Sequence, residues 1–268
     1  MWIDTHCHLD ASEFGGTSLQ VAEQAAQAGV AGIVVPAVHK SNFDTVIQLG
    51  QQRSDCFYAL GIHPMYVPTS KEEDLLFLRQ KVDGLMAGAD ADRKLVAIGE
   101  IGLDYFVLAL TQSPLREKQE YFYVEQLKIA RDFDLPVLLH VRRSQDIILK
   151  HLRRIKVRGG IAHAFNGSQQ QAEAFIALGF KLGFGGAMTF TRALQIRRLA
   201  TGLPLESIVL ETDAPDIPPH WLTAGANSPS QLPQIGSVLA ELREMDKAQV
   251  AAITSSNALT ILPRMQRA

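Results

Sequence analysis

A chain of 268 residues, 47% hydrophobic and 20% charged, is long enough to bury a full core and shows no low-complexity tract. Its formal net charge of −2 excludes a protein that coats nucleic acid through bulk charge, so a polyanionic partner has to be met by a local patch. Two cysteines, Cys7 and Cys56, are too few for a disulfide framework and lack the spacing of a structural zinc site, which predicts a reducing, cytoplasmic setting. Asp4, His6 and His8 stand where an export signal needs basic and then apolar residues. The apolar stretch from Ala28 to Val38 is too short to cross a bilayer, so neither signal nor membrane segment is expected.

The predicted elements alternate along the chain. An apolar run from Trp2 to Thr5 leads to a helix that Gly29 is placed to end, then to strands over Gly32 to Pro36 and Cys56 to Ile62. Ser70 with Glu73 reads as a capping box opening the next helix, followed by a strand over Leu95 to Ile101 and another over Pro136 to His140. Ser144 precedes a helix over Gln145 to Lys156. A strand over Gly160 to His163 follows, then Ser168 and a helix over Gln169 to Leu178 that Gly179 ends. Strands over Lys181 to Gly185 and Ser207 to Thr212 precede a last helix opened by Asp246 with Gln249. Eight such runs, apolar throughout rather than alternating, suit a parallel sheet covered on both faces. The length is close to the roughly 250 residues of one eight-stranded barrel, and no repeat or linker divides the chain, so a single α/β domain over 1–268 is expected.

Chemistry collects where the apolar runs stop. His6 and His8, His63, His140 and His163 follow strand-like segments, and Glu100 and Asp213 do the same. A lone histidine in such a place is more often a hydrogen-bonded structural residue than a ligand. Jointly, imidazoles and carboxylates from the carboxyl ends of several strands are the ordinary means of holding a divalent ion for hydrolysis. His6 and His8 are spaced to share one strand face while Cys7 points away. A buried carboxylate without a partner is costly, so Glu100 and Asp213 call for a metal or an ion pair. Asp104, Glu211 and Asp216 are the competing acids. Glu211 shares a face with Asp213 in a regular strand and reads as a hydrogen-bond acceptor behind the ligands.

In chain order, His6-Cys7-His8, Gly61-Ile62-His63-Pro64, Gly99-Glu100-Ile101-Gly102-Leu103-Asp104-Tyr105, Leu135 to Arg142, His163 to Ser168 and Leu210 to Pro215 resemble the signature blocks of the TatD family of metal-dependent deoxyribonucleases. Gln119, Asn227-Ser228-Pro229 and Asn257-Ala258-Leu259 extend the likeness toward the C-terminus. One H-x-H block is shared with much of the amidohydrolase superfamily, whereas six blocks in register are specific.

The resemblance implies a (β/α)8 TIM barrel with two divalent ions, zinc, manganese or magnesium, at the carboxyl ends of its strands. It places His6, His8, Glu100 and Asp213 around the first ion, with Glu100 bridging to a second held by His140 and His163, and a glutamate where many barrel hydrolases use a carboxylated lysine. Asp213 then serves as general base, and His63 and Arg142 contact a phosphate or water. For Arg142, a solvated arginine opening a helix is an equal alternative. The expected substrate is single-stranded DNA or a nucleotide phosphodiester, acted on by a monomer. Hydrolysis of a small amide or lactone, or metal binding with negligible turnover, stays open. Phe106 to Leu110 departs from expectation in being apolar over a substrate cleft. The basic run of Arg142, Arg143, Lys150, Arg153, Arg154, Lys156 and Arg158 is expected to be mostly the solvent face of a helix.

Overall fold

The computed structural model describes residues 1–88 and 92–267; the few remaining positions of the expected 1–268 domain lie outside the described residues. Eight strands, β1 (Trp2–Asp4), β2 (Val30–Pro36), β3 (Cys56–Leu60), β4 (Leu95–Asp104), β5 (Val137–Arg142), β6 (Gly160–Ala162), β7 (Phe180–Phe184) and β8 (Ile208–Leu210), pair in parallel in sequence order. Around them run α1 (Ser18–Gln27), α2 (Phe43–Gln52), α3 (Glu72–Met86), α4 (Leu115–Asp132), α5 (Gln145–Arg154), α6 (Gln169–Ala177), α7 (Leu194–Gly202), α8 (Leu232–Arg243) and α9 (Lys247–Ile261). The result is a (β/α)8 TIM barrel. Its seam between β8 and β1 is joined by Thr5 N–H to the Leu210 carbonyl at 3.1 Å and by Asp213 N–H to the His6 carbonyl at 2.8 Å.

Alternate strand residues divide the core in two. Ile3, Val34, Phe57, Ala59, Ala97, Leu138, Ile161 and Val209 form one cluster, closed by Leu262 and Met265 of the C-terminal segment. Their partners along the strands, such as Ile33, Tyr58, Leu139 and Leu210, pack in the other cluster with the helices. This two-sided burial explains the unbroken apolar runs, since strands covered on both faces have no polar side to show. Each fully buried Leu or Ile contributes about 1.5–3 kcal/mol.

Helix boundaries follow local hydrogen bonding. Ser168 Oγ accepts from Gln171 N–H while the Gln171 side chain accepts from Ser168 N–H, and the Asp246 carboxylate accepts from Ala248 and Gln249 N–H. Gly29 and Gly179 follow α1 and α6 with φ of +96° and +83°. The box expected from Ser70 and Glu73 does not form. Asp74 accepts the Lys71 N–H at 2.9 Å and starts α3 later, while Ser70 Oγ donates to the Tyr66 carbonyl. Ser144 precedes α5 without capping it, because its hydroxyl donates to the Leu103 carbonyl at 2.7 Å. On α5, Lys150, Arg153 and Arg154 are exposed, as a solvent face requires.

Candidate metal centre

The functional side chains converge on the mouth of the barrel, but fewer of them sit at strand ends than the sequence suggests. His6 and His8 lie beyond β1, His63 beyond β3, His163 just past β6 and Asp213 past β8. Glu100 and His140 are inside strands, because β4 continues to Asp104 and β5 to Arg142. The register of β4 against β5 shifts between Ile98 and Ile101, and the extra residue of such a bulge re-aims the local side chains. Gly102 follows at φ +152°, where a Cβ would overlap the His140 backbone.

Glu100 is 1% exposed and divides the histidines between its two oxygens. Oε2 lies 3.1 Å from His6 Nε2 and 3.4 Å from His8 Nε2. Oε1 lies 2.8 Å from His163 Nε2, 3.0 Å from His140 Nδ1 and 3.3 Å from His63 Nε2. Asp213 Oδ1 joins the first group, 3.7 Å from His6 and 3.6 Å from His8. The structure thus brings together His6, His8, His63, Glu100, His140, His163 and Asp213, with His63 as close to Glu100 as the expected ligands are. Three sets of donors, His6/His8/Glu100, His6/His163/Asp213 and His63/Glu100/His140, each have ligand atoms within 4.8 Å of one another.

So many titrating groups in a dry place pull one another apart. Burial drives the His6 imidazole down to about 3 and His63 to about 4. Burial opposes the charged forms of His8 and His163 too, but Glu100 outweighs it and lifts them to about 9 and about 10. Burial would raise Glu100, yet His163, His63 and His6 hold it well below the usual carboxylate range. Burial raises Asp213 above that range. Nε2 of His6, His8, His63 and His163 and Nδ1 of His140 all face the Glu100 oxygens, an imidazole–carboxylate donor set that a divalent cation would ligate in place of their mutual repulsion. The donor set fits such ions.

A second layer holds this cluster. Glu211 accepts from Ala164 N–H and its Oε1 lies 3.9 Å from His163 Nδ1; burial lifts its carboxyl to about 8. The strand ends at Leu210 and Asp213 turns into the left-handed region at φ +53°, yet Glu211 and Asp213 both lie beside His163. Gly183 makes room for the Glu211 carboxylate, which a Cβ would overlap. Asp104 Oδ2 lies 3.0 Å from His140 Nε2, its other oxygen accepting from Phe106 and Val107 N–H. Gln119, fully buried, bonds both the N–H and the carbonyl of Asp104. Asn227 Nδ2 donates to the Thr212 and Asp216 carbonyls, fixing the loop that carries Asp213. Asn257 serves the opposite end of the barrel through the Leu205 and Ile208 carbonyls.

Asp4 went unassigned from sequence. Fully buried, it accepts from Thr212 Oγ1 at 2.6 Å, Thr212 N–H at 3.0 Å and His6 N–H at 3.2 Å, so it ties the backbone on both sides of the seam. An acid inside the first apolar run was the available signal.

The cluster opens into a cleft of about 1260 Å³. Arg142 does not reach into the cluster. Its guanidinium lies 3.8 Å over the Phe106 ring and 3.9 Å from Asp104, and the Phe106 side of the unexpected apolar segment is this arginine's support.

An eight-stranded barrel with histidines and carboxylates gathered at its mouth has the architecture of a metal-dependent TIM-barrel protein. The chain belongs to the family of TatD-related DNases, whose family model matches residues 3–263. It is similar to the uncharacterized metal-dependent hydrolase YjjV of Escherichia coli, 41% identical over 97% of each chain. It is also similar to the 3'-5' ssDNA/RNA exonuclease TatD of the same organism, 30% identical over 96% of this chain and 97% of the relative. The crystal structure of E. coli YjjV, a TatD homolog, superposes with a TM-score of 0.89 at 40% identity, covering 98% of each chain. Among the described residues, no helix is long and apolar enough to cross a membrane.

Proposed function

We propose that the protein is a divalent-metal-dependent hydrolase that cleaves phosphodiester bonds of single-stranded DNA, with two ions held by its own residues. The observation that carries this reading is the division of Glu100, one oxygen facing His6 and His8 and the other facing His140 and His163. His6, His8, Asp213 and Glu100 would hold the first ion, and His140, His163 and Glu100 the second. Asp104 orients His140 from behind through its 3.0 Å contact, and Glu211 positions His163 through the Ala164 N–H beside it. When bound, such ions supply Lewis acidity to phosphoryl oxygens and lower the pKa of water.

The chain's own groups do the rest. Asp213, raised by burial and held at the cluster's edge, accepts the proton of the attacking water. His63, with Nδ1 accepting from Met65 N–H, keeps Nε2 facing the cluster, where it holds water or a phosphate oxygen. Arg142 stands at the rim for a phosphate further along the strand. A cleft of about 1260 Å³ exceeds the roughly 300–1,000 Å³ of small-molecule pockets and accommodates a few nucleotides. The relative named a 3'-5' ssDNA/RNA exonuclease supports the same substrate class.

The test is a panel of single-stranded oligonucleotide, nucleotide phosphodiester, amide and lactone substrates, each with manganese, magnesium and zinc. Release of nucleotides from the oligonucleotide is expected. Amide or lactone hydrolysis without phosphodiester cleavage would replace this reading with a small-substrate hydrolase.

A further inference from the structure

The charges around the cleft are sorted by side. On the β4 and β5 side stand Arg142, Arg143 and Phe106; on the β8 and β1 side stand Asp216, Asp10 and Glu13, half the ring away in strand order. Among the described residues no lysine lines the cleft, and its only arginines are these two. Of its remaining acids, Glu100 and Asp213 belong to the metal cluster and Asp104 is committed to His140.

The arginine side is built rather than incidental. Consecutive residues at a strand end point to opposite faces, yet both guanidinia lie over one ring, Arg142 at 3.8 Å and Arg143 at 4.7 Å from the Phe106 centroid. The left-handed backbone of Arg143, φ +56°, breaks the alternation and brings the second cation round. A non-glycine residue is held there only where its surroundings impose it. Among the described residues, the one carboxylate within 4 Å of either guanidinium is Asp104, at the 3.9 Å edge of that range from Arg142. Two like charges stacked on an aromatic ring with so little compensation mark a place for an anion. Across the mouth, Glu13 and Asp216 are exposed, and Asp10 is held in the wall by Asn42 Nδ2 at 2.8 Å.

We propose that this polarity selects the terminus of the substrate: the Arg142/Arg143/Phe106 shelf takes the phosphate flanking the scissile bond, and the Asp10/Glu13/Asp216 wall requires the departing nucleotide to carry no terminal phosphate. The inference rests on the phosphodiesterase reading above. A terminal phosphomonoester carries about −1.5 to −2 at neutral pH against three carboxylates, which in solvent discourages it by about tenfold. The discrimination shrinks as salt screens the wall, whose charges act over a Debye length of roughly 8 Å at physiological ionic strength.

The experiment measures initial rates of the full-length protein with manganese on short single-stranded oligonucleotides bearing hydroxyl or phosphate at each end in turn. A phosphate on the end being trimmed should slow release about tenfold, and a phosphate on the far end should not. Combined Asp10→Asn, Glu13→Gln and Asp216→Asn should abolish that ratio, and raised salt should shrink it in the unaltered protein, which keeps the test intact if the triple variant misfolds. Arg142→Ala with Arg143→Ala should raise KM about tenfold for both termini with little change in kcat. Cleavage indifferent to terminal phosphate, or a ratio that survives both neutralisation and salt, overturns this inference alone. Absence of DNA cleavage with every metal overturns the phosphodiesterase reading and this inference with it.

Discussion

Asp4→Ala removes the acceptor shared by three buried donors: Thr212 N–H, Thr212 Oγ1 and His6 N–H. The threonine hydroxyl can rotate to another partner, so two backbone N–H groups remain stranded at about 1–3 kcal/mol each, and a cost of about 2–6 kcal/mol is expected. Burial, against those same hydrogen bonds, lifts the Asp4 carboxyl from 3.8 to about 7. A folded value above the unfolded one means stability that is present below the unfolded value and lost as pH rises through the folded one, here between about pH 4 and pH 7. A lift of about three units corresponds to at most about 4 kcal/mol. Asp4→Asn, isosteric with the neutral acid, should therefore flatten this loss while keeping most of the stability that Asp4→Ala forfeits. Urea unfolding of chelator-treated protein near pH 5 and near pH 7.5 measures both effects. Equal midpoints for Asp4→Ala and the unaltered chain at both pH values, or an unchanged pH slope in Asp4→Asn, would refute the reasoning.

Other consequences are equally concrete. Protein prepared without chelators should carry two divalent ions per chain, and chelation should abolish hydrolysis; full activity with one ion or fewer under saturating manganese or zinc removes the two-ion proposal. Asp213→Asn should cost several orders of magnitude in turnover, because it takes away a base and a ligand together, and Glu211→Gln, acting through His163, should cost less; near-normal kcat for Asp213→Asn at saturating metal shows the base to be elsewhere. Burial pushes the Cys56 thiol up to about 12 and Cys7 well above its usual value, so neither should be alkylated by iodoacetamide near pH 8 until urea unfolds the chain. Labelling of the folded protein at the unfolded rate contradicts that burial.

Eight unbroken apolar runs, set apart by helix-length segments, carried the barrel in the sequence itself, because strands buried on both faces need no polar positions. Histidines and acids following those runs marked the candidate site for a similar reason: in such a fold the mouth is where polar side chains are tolerated. Local pattern could not say where β4 and β5 stop, since their extensions to Asp104 and Arg142 depend on pairing with each other. It could not show that β8 ends before Glu211 and Asp213, because the left-handed turn at Asp213 is held by the His6 carbonyl across the seam. Asp4 looked like one more residue of the first strand until Thr212, distant in sequence, supplied its donors. Nor could spacing predict that Arg142 and Arg143, neighbours on a strand end, would stack on one phenylalanine from another loop. Periodicity records which face of an element is dry, and that is written locally; which carboxylate meets which donor, and which cation faces the cleft, is decided only when strands from opposite ends of the chain close the ring.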